Sequence, residues 1–152
     1  MQSRLDWYKT VPDAYKAMAG LEGFVRKSGL DHALLDLIRM RASQINGCAY
    51  CIDMHSKDAR VAGESEQRLY ALNAWRETPF YSERERAALA WTEALTLVHE
   101  GHASGDVYEA TRNHFTDEEL VSLTLAIVSI NATVPGTYQP AGQPAGARAS
   151  AI

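Results

Sequence analysis

Long apolar runs are missing from this sequence, and no stretch approaches the roughly 20 residues needed to span a bilayer. Lys and Arg never cluster into a run, and the formal net charge is −4. Neither nucleic acid nor a membrane is therefore an expected partner. The first residues, Met1 to Trp7, lack the apolar core of a secretion signal, so the expected location is the cytoplasm. No segment of six residues alternates cleanly enough to be a strand, which excludes sheet-based redox folds. No repeat at a solenoid period is present. Cysteine is scarce: there are two, three positions apart, as Cys48-Ala49-Tyr50-Cys51. In a reducing compartment such a pair points to catalysis or metal binding rather than to a structural bridge.

What is present describes an ordinary globular chain. Its 152 residues are 46% hydrophobic and 22% charged, which excludes disorder over most of the length. A chain of this size buries roughly 70% of the surface that its unfolded form exposes, so its core needs no disulfide staples. The expected fold class is all-α, with six to seven helices. Thr10 and Pro12 open the first, which Ser28-Gly29 stops. Asp31 caps a second, from about His32 to Ile45. In projection Leu34, Leu37, Ile38, Ala42 and Ile45 share one face of it, and Asp36, Arg39, Met40 and Ser43 the other. Asn46-Gly47 breaks it, and a third helix runs from Cys48 to Ala62-Gly63. A fourth covers Glu64 to Trp75. Ser82 to Glu85 is a capping-box pattern opening a long helix to about His99, and Gly105 to His114 is short. Thr116 to Glu119 is a second capping box, before the apolar run Leu120 to Ile130. A single domain over residues 1–138 is expected, followed by an extended or mobile tail over 139–152, where Pro140 and Pro144 stand among little that could be buried.

The third helix carries the chemistry. At about 100° per residue, Cys48 and His55 project within about 20° of each other, with Cys51 about 60° to one side. Cys48 to Cys51 is i,i+3 and Cys51 to His55 is i,i+4, so each side chain can touch the next. Ile52, Ala59 and Ala62 share this stripe, while Tyr50, Asp53, Lys57 and Arg60 lie opposite. The thiols and imidazole are thus expected to face protein, in a partly dry pocket. Packing would explain either cysteine alone, but two at this spacing with a histidine on the same face favour a functional site. A zinc site would need a fourth ligand, and His32, His99, His102 and His114 have no partner spacing to supply it. A c-type haem needs histidine directly after the second cysteine, where Ile52 stands. No metal and no cofactor is expected. His99 and His102 read as solvated, and Trp75 and Trp91 as core or interface aromatics.

The stretch Arg39-Met40-Arg41-Ala42-Ser43-Gln44-Ile45-Asn46-Gly47-Cys48-Ala49-Tyr50-Cys51-Ile52-Asp53-Met54-His55-Ser56-Lys57-Asp58-Ala59-Arg60 closely resembles the core motif of the alkylhydroperoxidase D-like (AhpD-like) branch of the carboxymuconolactone decarboxylase family. Gly63-Glu64, Leu69-Tyr70, Ala74 to Glu77 and Glu83 to Trp91 resemble the same branch, so the likeness covers most of residues 1 to about 132. It implies an all-α thiol peroxidase that assembles as trimers or hexamers. Two positions depart from the pattern. Asp36, one methylene shorter, stands where the family has a glutamate twelve residues before the first motif cysteine. Its local alternative is an i,i+3 pair with Arg39, and a water could cover the lost reach. Tyr50 replaces the histidine that well-studied members carry just before the second cysteine. Ala132 to Gly136 ends the last helix where relatives continue.

The resemblance implies a catalytic set of Cys51, Cys48, His55 and Asp36, in which Cys51 meets the peroxide and Cys48 resolves the product. Residue chemistry divides on that order. The first helical turn acidifies Cys48, whereas the nearby imidazole favours Cys51. Expected partners are hydrogen peroxide or an organic hydroperoxide, a dithiol reductant, and further copies of the chain in a trimer or hexamer. A lactone decarboxylase, the wider family's other activity, would give two thiols nothing to do. A redox-sensing protein without rapid turnover would use the same stripe.

Overall fold

The computed structural model describes residues 7–133. The tail expected from residue 139 lies outside them. The elements are α1 (Trp7–Thr10), α2 (Pro12–Arg26), α3 (His32–Ile45), α4 (Ala49–Val61), α5 (Glu66–Ala71), a 3-10 segment (Leu72–Glu77), α6 (Glu83–Thr96), α7 (Val98–Gly101), α8 (Gly105–Arg112) and α9 (Asp117–Ala132). The all-α class is as expected, with no strand among the described residues. No helix among them is long and apolar enough to cross a membrane.

Local chemistry sets most of the boundaries. Pro12 opens α2 and keeps the preceding Val11 out of helical dihedrals, at φ −139° and ψ 72°. The Asp31 carboxylate accepts the Ala33 amide at 2.9 Å to cap α3. Both capping boxes form: Ser82 with Glu85 starts α6, and Thr116 with Glu119 starts α9. Two expected helices prove shorter. Leu97 leaves helical dihedrals (φ −103°, ψ 37°), so α6 stops at Thr96 and the brief α7 follows. The segment expected from Glu64 to Trp75 tightens after Ala71 into 3-10 geometry, with Ala74 outside helical dihedrals.

The helix α3 is central, packing against α4, α6 and α9. Leu34, Leu35, Leu37, Ile38, Met40, Ala42 and Ser43 are all buried. The two-faced reading of this helix therefore fails at Met40 and Ser43, because α3 is enclosed by protein on more than one side. Ser43 is tolerated there because its hydroxyl donates to the Arg39 carbonyl at 2.7 Å. Two apolar clusters flank the helix. One joins Leu34, Leu35 and Ile38 to Trp91 of α6 and to Leu123, Ala126 and Ile127 of α9. The other joins Leu37 and Met40 to Ala59, Leu72, Trp75 and Leu89. Trp75 and Trp91 are thus core residues, and each indole N–H finds an acceptor, Glu93 at 2.8 Å and Thr124 at 3.0 Å.

Glu93 is the polar pin of the second cluster. Arg41 reaches it from α3 at 2.8 Å, and Arg76 from the 3-10 segment. Burial alone would raise its pKa, but hydrogen bonds from Trp75, Arg76 and Arg41 outweigh burial and hold the carboxyl below its usual range.

Leu37 has no exposed surface and joins α3 to the second cluster. Leu37→Ala should cost about 2–5 kcal/mol in denaturant unfolding, whereas losing the α9 cap in Thr116→Ala should cost only about 1 kcal/mol. Equal losses in the two variants would contradict the central placement of α3.

Candidate active site

The turn between α3 and α4 contains no spare residue. Asn46 caps α3, and Gly47 follows in the left-handed region at φ +62°. The Gly47 amide bonds to the Gln44 carbonyl at 3.2 Å, and the Cys48 amide to the Ser43 carbonyl at 3.1 Å. Those two bonds define a Schellman closure, and its left-handed position favours glycine. Cys48 then caps α4 rather than occupying its first turn, with its Sγ accepting the Cys51 amide at 3.3 Å. One residue closes one helix and opens the next, and it carries the first thiol.

The two sulfurs are joined as a disulfide, with the Cα atoms 5.3 Å apart. That separation is ordinary for a bridged pair. Both cysteines are nearly enclosed, at 7% and 8% exposure. His55 follows Cys51 by one turn, and its Nε2 is buried without a hydrogen-bond partner. Burial, and secondarily the positive charge of Arg39, lowers its pKa from 6.5 to about 4. At neutral pH the imidazole is therefore uncharged, with one nitrogen able to accept a proton.

Asp36 lies on α3 with its Oδ1 3.8 Å from Arg39. Arg39 is in turn bound by Glu22 of α2 at 2.9 Å, and Glu22 accepts the hydroxyl of the fully buried Ser129 of α9. The i,i+3 pair of Asp36 with Arg39, the local alternative for this carboxylate, is present, and a carboxylate from another helix binds the same guanidinium more closely. Pairing across seventeen residues is invisible to local spacing, which is why Glu22 was not foreseen. Asp58 was also missed, although it follows Cys51 by seven residues and so shares the stripe; its Oδ1 is buried without a partner.

Tyr50 is partly buried, and burial, then the charges of Asp58 and Asp53, raise its pKa, so it stays a neutral phenol. Asp53, Lys57 and Arg60 face solvent as expected, whereas Ala62 is exposed instead of lining the inner stripe. Ala62 is the residue that caps the end of α4, one step past its last helical residue. His99 and His102 are exposed. An open groove of about 630 Å³ runs between α4 and α5, lined by Met40, Ile52, Val61, Leu69 and Tyr70 among others, and it includes neither cysteine.

The lowered pKa of His55 has a consequence for stability. Below pH 6.5 the unfolded chain binds a proton at this histidine that the folded chain refuses. Stability should therefore fall by about 1.4 kcal/mol per pH unit between pH 6.5 and about 4 from this group. Unfolding of the protein and of His55→Gln across that window should differ by this slope. Parallel curves would place the histidine in water.

The carboxymuconolactone decarboxylase family profile matches residues 12–94. The protein YdfG of Bacillus subtilis (strain 168) is 42% identical over 131 residues, covering 86% of this chain and 89% of that one. YnjA of Escherichia coli (strain K12) is 28% identical over 131 residues, covering 82% and 69%. Both are uncharacterised. Among solved structures, a protein of unknown function from Agrobacterium tumefaciens, to which an AhpD antioxidant defence role has been ascribed, shares 47% identity with a TM-score of 0.82, covering 86% of this chain and 90% of that one. The debrominase Bmp8, at 21% identity and a TM-score of 0.67, covers 82% of this chain and 67% of its own, and shares the fold. With a matching profile over more than half its length and a CxxC disulfide at the start of a long helix, the chain belongs to the carboxymuconolactone decarboxylase family and has the AhpD-like fold.

Proposed function

We propose that the protein is a thiol peroxidase that reduces hydrogen peroxide or an organic hydroperoxide through its Cys48–Cys51 pair. The observation that carries this reading is the nearly buried disulfide with an uncharged imidazole one turn away. In the reduced state His55 takes the proton of Cys51. The thiolate attacks the terminal peroxide oxygen, the O–O bond breaks, and the alkoxide leaves as an alcohol with the proton returned by His55. Cys51 is then a sulfenic acid. The Cys48 thiol attacks it, water leaves, and the disulfide forms. A dithiol reductant of the cytoplasm resets the pair by exchange. Asp36 takes part by way of Arg39, the cation it pairs with.

The same reading includes assembly into a homo-oligomer, a hexamer built as a trimer of dimers. Phe24 of α2 and Val121 and Val128 of α9 are about half exposed, and they supply apolar surface that one chain leaves uncovered.

Peroxide consumption with a dithiol reductant tests the chemistry. Rapid turnover should disappear in Cys51→Ser, and His55→Gln should be slower by roughly 10²–10⁴-fold. Reversible disulfide formation without turnover would make the protein a redox sensor instead. After one equivalent of peroxide, Cys48→Ser should accumulate sulfenic acid at Cys51; its appearance only at Cys48 in Cys51→Ser would exchange the two roles. Light scattering should give a mass several times 16.8 kDa, and a monomer mass at micromolar concentration would overturn the assembly.

A further inference from the structure

A part-buried polar cluster joins three helices around Arg39, and its members Glu22 and Ser129 have no part in the steps above. Ser129 of α9, fully buried, donates to one oxygen of Glu22 on α2. The other oxygen of Glu22 accepts from Arg39 of α3 at 2.9 Å. The Arg39 side chain is only 11% exposed, and its second terminal nitrogen lies 3.8 Å from Asp36. A guanidinium so enclosed is expensive to desolvate unless its partners are fixed, and the Ser129 hydroxyl fixes the nearer one. The cation sits within electrostatic reach of His55, where it disfavours the imidazolium. Arg39 of α3 is the charged group that acts on His55. Asp36 of α3 and Glu22 of α2 lie against that guanidinium. Cys48, Cys51 and Asp58 share the inner stripe of α4 with His55, while Asp53, Lys57 and Arg60 face solvent.

We propose that Glu22 and Arg39 are a pair of positioning residues for the dithiol site: Arg39 supplies the positive field felt by His55 and Cys51, and Glu22, anchored by Ser129, sets how much of that field is left. The inference rests on the reading of Cys51 and His55 as the reactive groups, but not on peroxide being the oxidant. Neither residue touches the reacting atoms. A positive charge beside the site makes the thiol easier to ionise and the imidazole harder to protonate, so the field moves both groups in one direction. Loss of packing acts differently. Water entering the pocket eases thiol ionisation and eases imidazole protonation as well, which moves the two pKa values in opposite directions.

That contrast supplies the test. In the reduced full-length protein, thiolate absorbance is followed against pH, and His55 is followed by NMR, with its resonance assigned through His55→Gln. Arg39→Gln should move the thiolate midpoint to higher pH and raise the His55 midpoint above that of the unsubstituted reduced protein. Glu22→Gln, which keeps the side-chain shape, should move the thiolate midpoint to lower pH without raising that of His55. Arg39→Lys should restore the wild-type curves, and the double Gln variant should fall between the singles. Thiolate midpoints that move the same way in both single variants, or no movement in either, would overturn the proposal. Titrations of the expected sign in a protein that consumes no peroxide would overturn the peroxidase reading and leave the pair standing. Rapid peroxide consumption with unmoved titrations would do the reverse.

Discussion

Enclosing α3 obliges its polar groups to find partners, and those partnerships help fix where the surrounding helices lie. Ser43 turns back to its own helix. Arg41 takes Glu93 from α6, and Arg39 takes Glu22 from α2. Asn46, at the end of α3, donates to Asn131 of α9 at 2.8 Å, and Asn131 donates in turn to Thr96 of α6 at 3.1 Å. Apolar burial supplies most of the driving force for this arrangement, but it is not directional. The side-chain bonds supply the direction, because an unmet polar group in the interior costs more than a formed bond contributes.

The candidate site inherits its geometry from the same helix. The turn after α3 has a single left-handed glycine, and the next residue is already the cap of α4. Cys48 is consequently tied to the backbone of α3 on one side and to the Cys51 amide on the other. His55 then falls where helical register puts it, against an interior that withholds water from Nε2. The electrostatic character of the site comes first from that burial and then from Arg39, a cation with carboxylates of two helices on it.

Local chemistry made much of this readable in advance. Both capping boxes, the glycine break at Gly47 and the stripe of Cys48, Cys51 and His55 follow from spacing within a few residues, and all are present. Met40 and Ser43 show where spacing stops informing: a helical projection assumes one wet face, and a central helix has none to spare. Glu22 illustrates a different blindness, since its partner stands seventeen residues away on another helix. Asp58 lies on the same projection, two turns beyond Cys51, but local spacing does not tell a buried carboxylate there from a solvated one.

The absence of slack between α3 and α4 turns the chain into a ruler. From Asp36 to Cys48 the path is helix up to Ile45 and then a closure in which each residue has an assigned dihedral and hydrogen bond. One added residue in that turn would break the paired closure bonds of Gly47 and Cys48 and so release the start of α4, with its thiols, from the end of α3. Substitutions along this stretch can be absorbed by repacking, but changes of length cannot. The spacing of Asp36, Arg39 and Cys48 is therefore under a mechanical restraint separate from any chemical one, and tolerance to insertion should begin only beyond Ala62, the exposed cap at the far end of α4.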